Sequence, residues 1–221
     1  PTMDADDARA AAERAAKQRN AVFEAFTRQE ATPTGAGEGA PGVVRMLRSL
    51  YSTTRSVKAE GGAERMITSI STKEAARRLG VSQRTVQRWI KGQHNPSATV
   101  MKKLSTKARQ AVTTKRGRAQ AVRRAIANQK PTANGVRVRV SGMQGPKDYS
   151  RMRDIGQKLT PEEYEGLQHA YMEGGDKGAL DFLENVLSDK YVENWNIDYL
   201  TGLGFDGVGP HDNDGDPRAF H

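Results

Sequence analysis

The segment 71–91, STKEAARRLGVSQRTVQRWIK, constrains the fold of this 221-residue chain more than any other stretch. Ser71 or Thr72 is suited to cap a first helix, because a hydroxyl side chain accepts a hydrogen bond from an unpaired backbone N–H. Gly80 stands where a sharp turn needs a positive φ angle, and Ser82 is suited to cap a second helix. This pattern predicts a helix-turn-helix.

The second predicted helix has one apolar and one polar face. Val86, Trp89 and Ile90 recur at spacings of three and four, so they form its buried side. On the other side, arginine and glutamine can each make two hydrogen bonds to base edges in the major groove, and the flanks of such a helix meet phosphates. The predicted DNA contacts are Thr72, Ser82, Gln83, Arg84, Thr85, Gln87, Arg88 and Lys91.

Positive charge is concentrated around this motif. Residues 73–139 contain 18 Lys and Arg residues and one acidic residue, whereas residues 146–221 contain 7 basic and 16 acidic residues. A basic module of this kind is the electrostatic signature of nucleic-acid binding. The sequence therefore predicts that the basic part of the chain binds DNA. The acidic part, 146–221, is predicted to bind a protein or, alternatively, only to be kept soluble by its charge.

Residues 105–129 are predicted to form a long basic helix whose apolar residues are mostly alanine. Such a helix can lie along the DNA backbone, where each phosphate contact releases counterions; a solvated linker helix is the alternative. The candidate phosphate contacts are Lys107, Arg109, Lys115 and Arg116.

The predicted fold class is a mainly α N-terminal helix-turn-helix DNA-binding domain plus a small α+β C-terminal domain. Valines and arginines alternate over residues 136–140, which predicts a strand, and Thr160-Pro161 followed by two glutamates is a strong helix start. The predicted domains are an N-terminal helix and flexible linker (1–42), the basic DNA-binding domain (43–130), the acidic α+β domain (131–203) and a disordered tail (204–221).

Within these domains, further elements follow from periodicity and turn residues. The N-terminal part is expected to contain a helix at 43–51, a loop at 52–62, a helix at 63–70 and a short helix at 98–104. The C-terminal part is expected to contain a second strand at 151–159, two helices separated by Gly174-Gly175, and a last strand at 194–203.

Several classes of function are disfavoured by what the sequence does not contain. There is no cysteine, so disulfides and cysteine zinc sites are excluded and a cytoplasmic, nucleoid-associated location fits. No apolar run approaches the roughly 20 residues that span a bilayer. No phosphate-binding loop or hydrolase motif is visible. We therefore expect no catalytic residue, no metal ion and no cofactor, and a binding protein rather than an enzyme.

Weaker motifs occur in a recognisable order around the helix-turn-helix. They are AFTR at 25–28, LGVSQRTVQRWIKG at 79–92, KDYSRMR at 147–153, LTPEEYEGL at 159–167 and WNIDYL at 195–200. In this order the chain, from about residue 21 to residue 206, resembles the telomeric terminal proteins (Tpg type) of linear actinobacterial chromosomes and plasmids.

The resemblance implies a definite activity. Such a protein binds telomere DNA and becomes joined to the 5′ end, because a hydroxyl side chain attacks the α-phosphate of the first deoxynucleotide and pyrophosphate leaves. A partner DNA polymerase, which holds the metal ions, then extends the chain. The implied partners are this polymerase and a telomere-associated protein that binds the DNA end.

The nucleotide acceptor cannot be carried over from the family pattern. That pattern implies a threonine just before the aspartate of the 147–153 stretch, and Lys147 stands there before Asp148. The nearby hydroxyls are Tyr149, Ser150 and Ser141. Tyr149 is the first choice, since tyrosine serves as a protein primer elsewhere and the segment reads as a loop; a plain strand-end aromatic is the alternative.

Two other functions fit the same sequence. A helix-turn-helix transcriptional regulator would bind a palindromic duplex operator as a homodimer formed through the α+β domain. A plasmid replication or partition factor would bind repeated sites without becoming linked to them.

Overall fold

The computed structural model describes residues 5–31, 40–58, 64–126, 131 and 135–208. The elements in chain order are α1 (Ala5–Thr27), α2 (Ala40–Tyr51), β1 (Ser52–Lys58), β2 (Glu64–Ile70), α3 (Thr72–Leu79), α4 (Gln83–Ile90), α5 (Ala98–Thr113), α6 (Lys115–Ile126), β3 (Val136–Pro146), β4 (Arg151–Leu159), α7 (Pro161–Lys190) and β5 (Trp195–Asp206). The predicted fold class is confirmed: a helical part with a helix-turn-helix precedes a small α+β part.

The chain divides into two compact units. One consists of residues 28–121 and is called here the helix-turn-helix unit; the other combines residues up to 27 with those from 122 onward and is called the sheet unit. This division differs from the predicted domain boundaries at 42, 130 and 203, mainly because α1 packs with the C-terminal elements.

The core of the helix-turn-helix unit is built around α2, which packs against α3, α4 and α5. The predicted helix at 43–51 is therefore confirmed, and it begins slightly earlier. The buried side chains of this core are Val43, Met46, Leu47, Leu50, Tyr51, Ala75, Ala76, Leu79, Val86, Trp89, Leu104 and Ala108.

A β-hairpin stands where a loop at 52–62 and a helix at 63–70 were expected, so both predictions are wrong. The strands β1 and β2 pair antiparallel, with Ser52 opposite Ile70 and Lys58 opposite Glu64. Threonine and isoleucine are frequent in these strands, and β-branched residues favour strand over helix. The backbone N–H of Ser71 donates to the Tyr51 carbonyl at 2.8 Å and closes the base of the hairpin.

The predicted long basic helix is broken in two. Thr114 has extended backbone angles (φ −103°, ψ 144°) and separates α5 from α6. Its hydroxyl accepts a hydrogen bond from the Gly117 N–H at 3.0 Å, which caps the start of α6. The short helix expected at 98–104 is the first part of α5, and the predicted residues 127–129 lie outside the described ranges.

Gly117 of α6 lies close to the backbone of α5 at Gln110 and Ala111. A Cβ atom at this position would lie 2.0 Å from the Gln110 carbonyl oxygen, which is backbone and cannot yield locally. Alanine normally favours a helix over glycine, but here we expect Gly117→Ala to lower the free energy of unfolding by about 1–3 kcal/mol through overpacking. Urea unfolding followed by circular dichroism measures this. Gly174→Ala, where no atom lies within 4 Å, is the control and should not destabilise.

The sheet unit contains a three-stranded antiparallel sheet in the order β4-β3-β5. The predicted alternation is confirmed, because Val136, Val138 and Val140 are fully buried while Arg137 and Arg139 are exposed. The predicted pairing of 151–159 with this strand is also confirmed, with Val140 opposite Ile155.

The helix α7 begins and bends as the sequence indicates. Thr160 and Glu163 form a reciprocal capping box, and Pro161 occupies the first helical position. The chain leaves helical geometry at Gly175 (φ 71°, ψ −151°), so the two predicted helices are two arms of one kinked element.

The N-terminal helix α1 belongs to the sheet unit. The ring of Phe26 stacks on that of Tyr171, with centroids 4.5 Å apart. The side chain of Gln18 accepts from the Leu200 N–H at 3.1 Å and donates to Asp176 at 2.8 Å. The sequence predicted the helix but placed it with a flexible linker, of which residues 32–39 lie outside the described ranges.

The last strand is longer than predicted. β5 continues to Asp206, whose carboxylate pairs with Arg139 at 3.2 Å, and Val208 forms a bridge with Pro131. The tail was predicted to begin at residue 204, which is too early, because residues 204–206 belong to β5 and Val208 forms this bridge. Residues 209–221 lie outside the described residues.

Candidate nucleic-acid interface

The predicted caps of the helix-turn-helix are confirmed. The Ser71 hydroxyl accepts from the Glu74 N–H at 3.3 Å, and the Ser82 hydroxyl accepts from the Thr85 N–H at 3.1 Å. Gly80 adopts the left-handed conformation (φ 74°), and its N–H donates to the Ala76 carbonyl. These contacts fix the turn between α3 and α4 and therefore the direction in which α4 points.

The helix α4 is anchored on one side and exposed on the other. Val86 and Trp89 are buried in the core of the unit. The opposite side presents the exposed side chains Gln83, Arg84, Gln87, Arg88 and Lys91, with Thr85 partly buried.

Four of the predicted DNA contacts also have roles within the protein. The amide of Gln83 donates to the Thr72 hydroxyl at 2.8 Å and ties the first turn of α4 to α3. The Ser82 hydroxyl shares a hydrogen bond of 2.8 Å with that of Thr85. Arg84, Gln87, Arg88 and Lys91 are thus the side chains of α4 best placed to reach base edges and phosphates.

A basic cluster lies beside the motif, and the sequence revealed only one of its members. Burial, followed by the nearby charges of Lys103 and Arg78, lowers the pKa of Lys107. Hydrogen bonds from Arg78 and then Arg77 lower the pKa of Glu74, so one carboxylate neutralises part of this positive charge. Lys103 and Arg78 were not predicted because only the packed structure shows that they approach Lys107.

The positive charge of Lys107 is expected to lower the stability of the fold and to raise the affinity for DNA. Because its pKa is lower in the folded protein than in an unfolded chain, protonated Lys107 destabilises the fold below its folded pKa, and this cost disappears as pH rises from the folded pKa to the unfolded pKa. Lys107→Met should therefore unfold at a slightly higher temperature at neutral pH, and the difference from wild type should shrink at alkaline pH. Thermal unfolding at several pH values measures this, with the exposed Lys102→Met as control.

The same variant should bind DNA less tightly. If Lys107 meets a phosphate, its removal reduces the slope of log affinity against log salt by about 0.9. A stabilised variant with an unchanged salt slope would show that Lys107 does not contact DNA.

The remaining predicted phosphate contacts lie on helices other than the recognition helix α4. Arg109 on α5 and Lys115 and Arg116 on α6 are exposed. They flank the break at Thr114 and remain candidates for contacts with the DNA backbone.

The three candidate acceptor hydroxyls have different environments. Ser141 lies within β3 and donates to the Asp154 carboxylate at 3.1 Å. Tyr149 and Ser150 lie in the turn between β3 and β4, which is closed by a hydrogen bond of 2.7 Å from the Tyr149 N–H to the Pro146 carbonyl. Tyr149 is 61% exposed, whereas Ser141 is partly buried.

Two arginines that the sequence did not single out lie against Tyr149. The guanidinium carbons of Arg151 and Arg153 are 5.4 and 5.5 Å from its ring centroid. The guanidinium carbon of Arg153 also lies 5.3 Å from the ring centroid of Trp195. Trp195 is 42 positions further along the sequence, so no local pattern links the two residues.

Comparison with known proteins identifies the region around the helix-turn-helix. The helix-turn-helix family model matches residues 64–107, from β2 into α5. The chain therefore contains a helix-turn-helix DNA-binding domain, which indicates a DNA-associated location. No curated protein matches the chain, and no solved structure does. Across the described residues, no helix combines the length and apolar character needed to cross a membrane.

Proposed function

We propose that the protein is a terminal protein of a linear chromosome or plasmid, which binds DNA near the end and becomes covalently attached to the 5′ terminus. The helix-turn-helix unit supplies the DNA binding, and Tyr149 in the sheet unit supplies the acceptor hydroxyl. The observation that carries this proposal is the exposed Tyr149 ring flanked by Arg151 and Arg153. The order of motifs around residues 147–153 supports it.

The chemistry is a nucleotidyl transfer in which the protein is the primer. The Tyr149 hydroxyl oxygen attacks the α-phosphorus of a deoxynucleoside triphosphate, the new phosphodiester bond forms, and the bond to pyrophosphate breaks. The phenolic proton passes to a base in the active site of the partner polymerase, whose metal ions stabilise the transition state. The 3′ hydroxyl of the attached nucleotide is then extended.

This role defines the partners and the location. The protein is a nucleotide acceptor without a catalytic site of its own, so it needs a DNA polymerase and a telomere-associated protein that recruits it to the end. It acts at the nucleoid in the cytoplasm.

A transcriptional regulator is the second candidate, and the family match favours it as much as the first. A helix-turn-helix that reads duplex DNA is sufficient for regulation. This candidate predicts a homodimer and a palindromic site whose two half-sites lie one helical turn apart. It also predicts no covalent link to DNA.

Isolation of DNA from the host with SDS but without protease tests the proposal. We expect the protein to remain with the terminal restriction fragments and to be released by nuclease and not by SDS. Clean separation in SDS would contradict the covalent link and favour the regulator.

A further inference from the structure

In the sheet unit, Arg153 lies between the exposed ring of Tyr149 and the buried ring of Trp195. Its guanidinium carbon is 5.5 Å from the Tyr149 centroid and 5.3 Å from that of Trp195. Arg151 lies 5.4 Å from the Tyr149 ring, and Tyr191 meets Trp195 edge-on with centroids 5.1 Å apart. These five residues form a continuous aromatic–arginine ladder.

A buried glutamine fixes the middle of the ladder. Gln144 is fully buried, and its amide donates to the Arg153 carbonyl at 3.2 Å and accepts from the Trp195 indole N–H at 3.3 Å. A third hydrogen bond of 2.8 Å joins it to the Val140 carbonyl. Gln144 of β3 therefore fixes the Trp195 ring and the backbone of Arg153 relative to each other.

The guanidinium of Arg153 is only partly satisfied, since its Nη2 donates to the Tyr149 carbonyl at 3.3 Å. The Nε of Arg153 is buried and has no hydrogen-bond partner among the described residues, and an unsatisfied buried donor is unfavourable. At the two ends of the ladder, Tyr149 and Tyr191 remain 61% and 52% exposed. A preorganised stack that keeps aromatic rings in water is typical of a binding surface.

The local charge indicates the chemistry of the ligand. Residues 147–153 contain three cations (Lys147, Arg151 and Arg153) and one acid (Asp148), within a stretch, 146–221, that has 7 basic and 16 acidic residues. Cations beside exposed rings suit a ligand with both phosphates and flat bases. The bases of a duplex are stacked on one another, so only a single strand can offer their faces.

We propose that the aromatic–arginine ladder is a second DNA-binding site, specific for single-stranded DNA. Bases stack on the exposed ring of Tyr149, while Lys147 and Arg151 meet phosphates. This site goes beyond the proposed function, because it is non-covalent and requires neither nucleotide transfer nor a polymerase.

Fluorescence anisotropy with a fluorescein-labelled dT12 oligonucleotide tests the site. The full chain carrying Arg84→Ala and Arg88→Ala serves as background, so that the recognition helix contributes little. In this background we expect Tyr149→Ala and Arg151→Ala each to weaken dT12 binding about 10-fold. Tyr149→Phe keeps the ring and should recover the binding that Tyr149→Ala loses.

The control is Lys177→Ala, which removes an exposed cation of the same unit that pairs with Asp181. We expect it to leave dT12 affinity unchanged. Equal losses for Lys177→Ala and Arg151→Ala would contradict the site, as would unchanged binding in Tyr149→Ala. Equally tight binding of a labelled hexaglutamate peptide would also contradict it, because the surface would then recognise only negative charge.

The two proposals fail separately. If dT12 binding depends on Tyr149 and Arg151 but Tyr149→Phe still accepts a nucleotide at the full rate, the ladder stands and the assignment of the acceptor is wrong. If nucleotide acceptance requires the Tyr149 hydroxyl but Tyr149→Ala still binds dT12 as wild type does, the acceptor stands and the single-strand site is wrong.

Discussion

Replacing Tyr149 with phenylalanine is expected to reduce transfer of the first nucleotide by at least about 100-fold, because the change removes the attacking oxygen and nothing else. The side chain is 61% exposed, so the loss of its hydroxyl should not disturb the fold. The reaction contains the purified chain, a telomeric template, the host polymerase fraction and one α-labelled deoxynucleoside triphosphate. Label that stays with the protein in SDS gel electrophoresis measures the transfer.

The other two hydroxyl candidates provide the controls for this experiment. Ser141→Ala and Ser150→Ala each remove one nearby hydroxyl and should accept the nucleotide as wild type does. Duplex affinity should be unchanged in all three variants, since the helix-turn-helix unit does not contain them. A full loss in Ser150→Ala with normal transfer in Tyr149→Phe would move the acceptor by one residue.

The second large effect is expected at the recognition helix. A bidentate arginine contact to a base is worth about 1–3 kcal/mol, so Arg84→Ala with Arg88→Ala should weaken binding to the preferred duplex by about 100-fold or more. The folding of the unit should survive, because both side chains are exposed while Val86 and Trp89 hold the helix. Selection from a random duplex pool gives the preferred site, and titration at fixed salt measures the affinity.

A second pair of arginines distinguishes base contacts from phosphate contacts. Arg109→Ala with Arg116→Ala should weaken binding to preferred and unrelated duplexes alike and should reduce the salt slope. The variant with Arg84→Ala and Arg88→Ala should instead lose much of the preference for the selected site over unrelated duplexes. If both pairs behaved identically, α4 would not be the element that reads the sequence.

Local sequence signals predicted the parts of the fold that local physics determines. Ser71, Gly80 and Ser82 act within three or four residues of their own position, so their capping roles could be read directly from the sequence. The alternation of valine and arginine in β3 and the capping box at Thr160 are equally local.

The errors arose where a weak local preference competed with packing. Residues 63–70 were predicted to be helical, whereas Ile67, Thr68 and Ile70 belong to a strand that pairs with β1. The break in the basic helix depends on the Thr114 hydroxyl and on the close approach at Gly117. Neither is evident from an alanine-rich basic run.

The candidate sites show the same distinction. The exposed face of α4 was predicted except for Thr85, which is partly buried, because helical periodicity determines it. In the cluster of Lys103, Lys107 and Arg78 only Lys107 was predicted, and the ladder around Arg153 was missed, since each joins elements that are distant in sequence. In the ladder, the register of β3 with β4 and β5 brings Arg153 and Trp195 to the same buried amide.

Tyr149 is proposed to carry the 5′ end of the DNA, and mass mapping of the linked residue shows whether it does. The protein is recovered with terminal DNA in SDS, treated with nuclease and digested with trypsin, which places Ser141 in the peptide 140–147 and Tyr149 in the peptide 148–151. We predict one nucleotide monophosphate on the 148–151 peptide, with fragmentation assigning it to the tyrosine. A nucleotide on any other peptide, or none on protein recovered from DNA ends, would contradict the account.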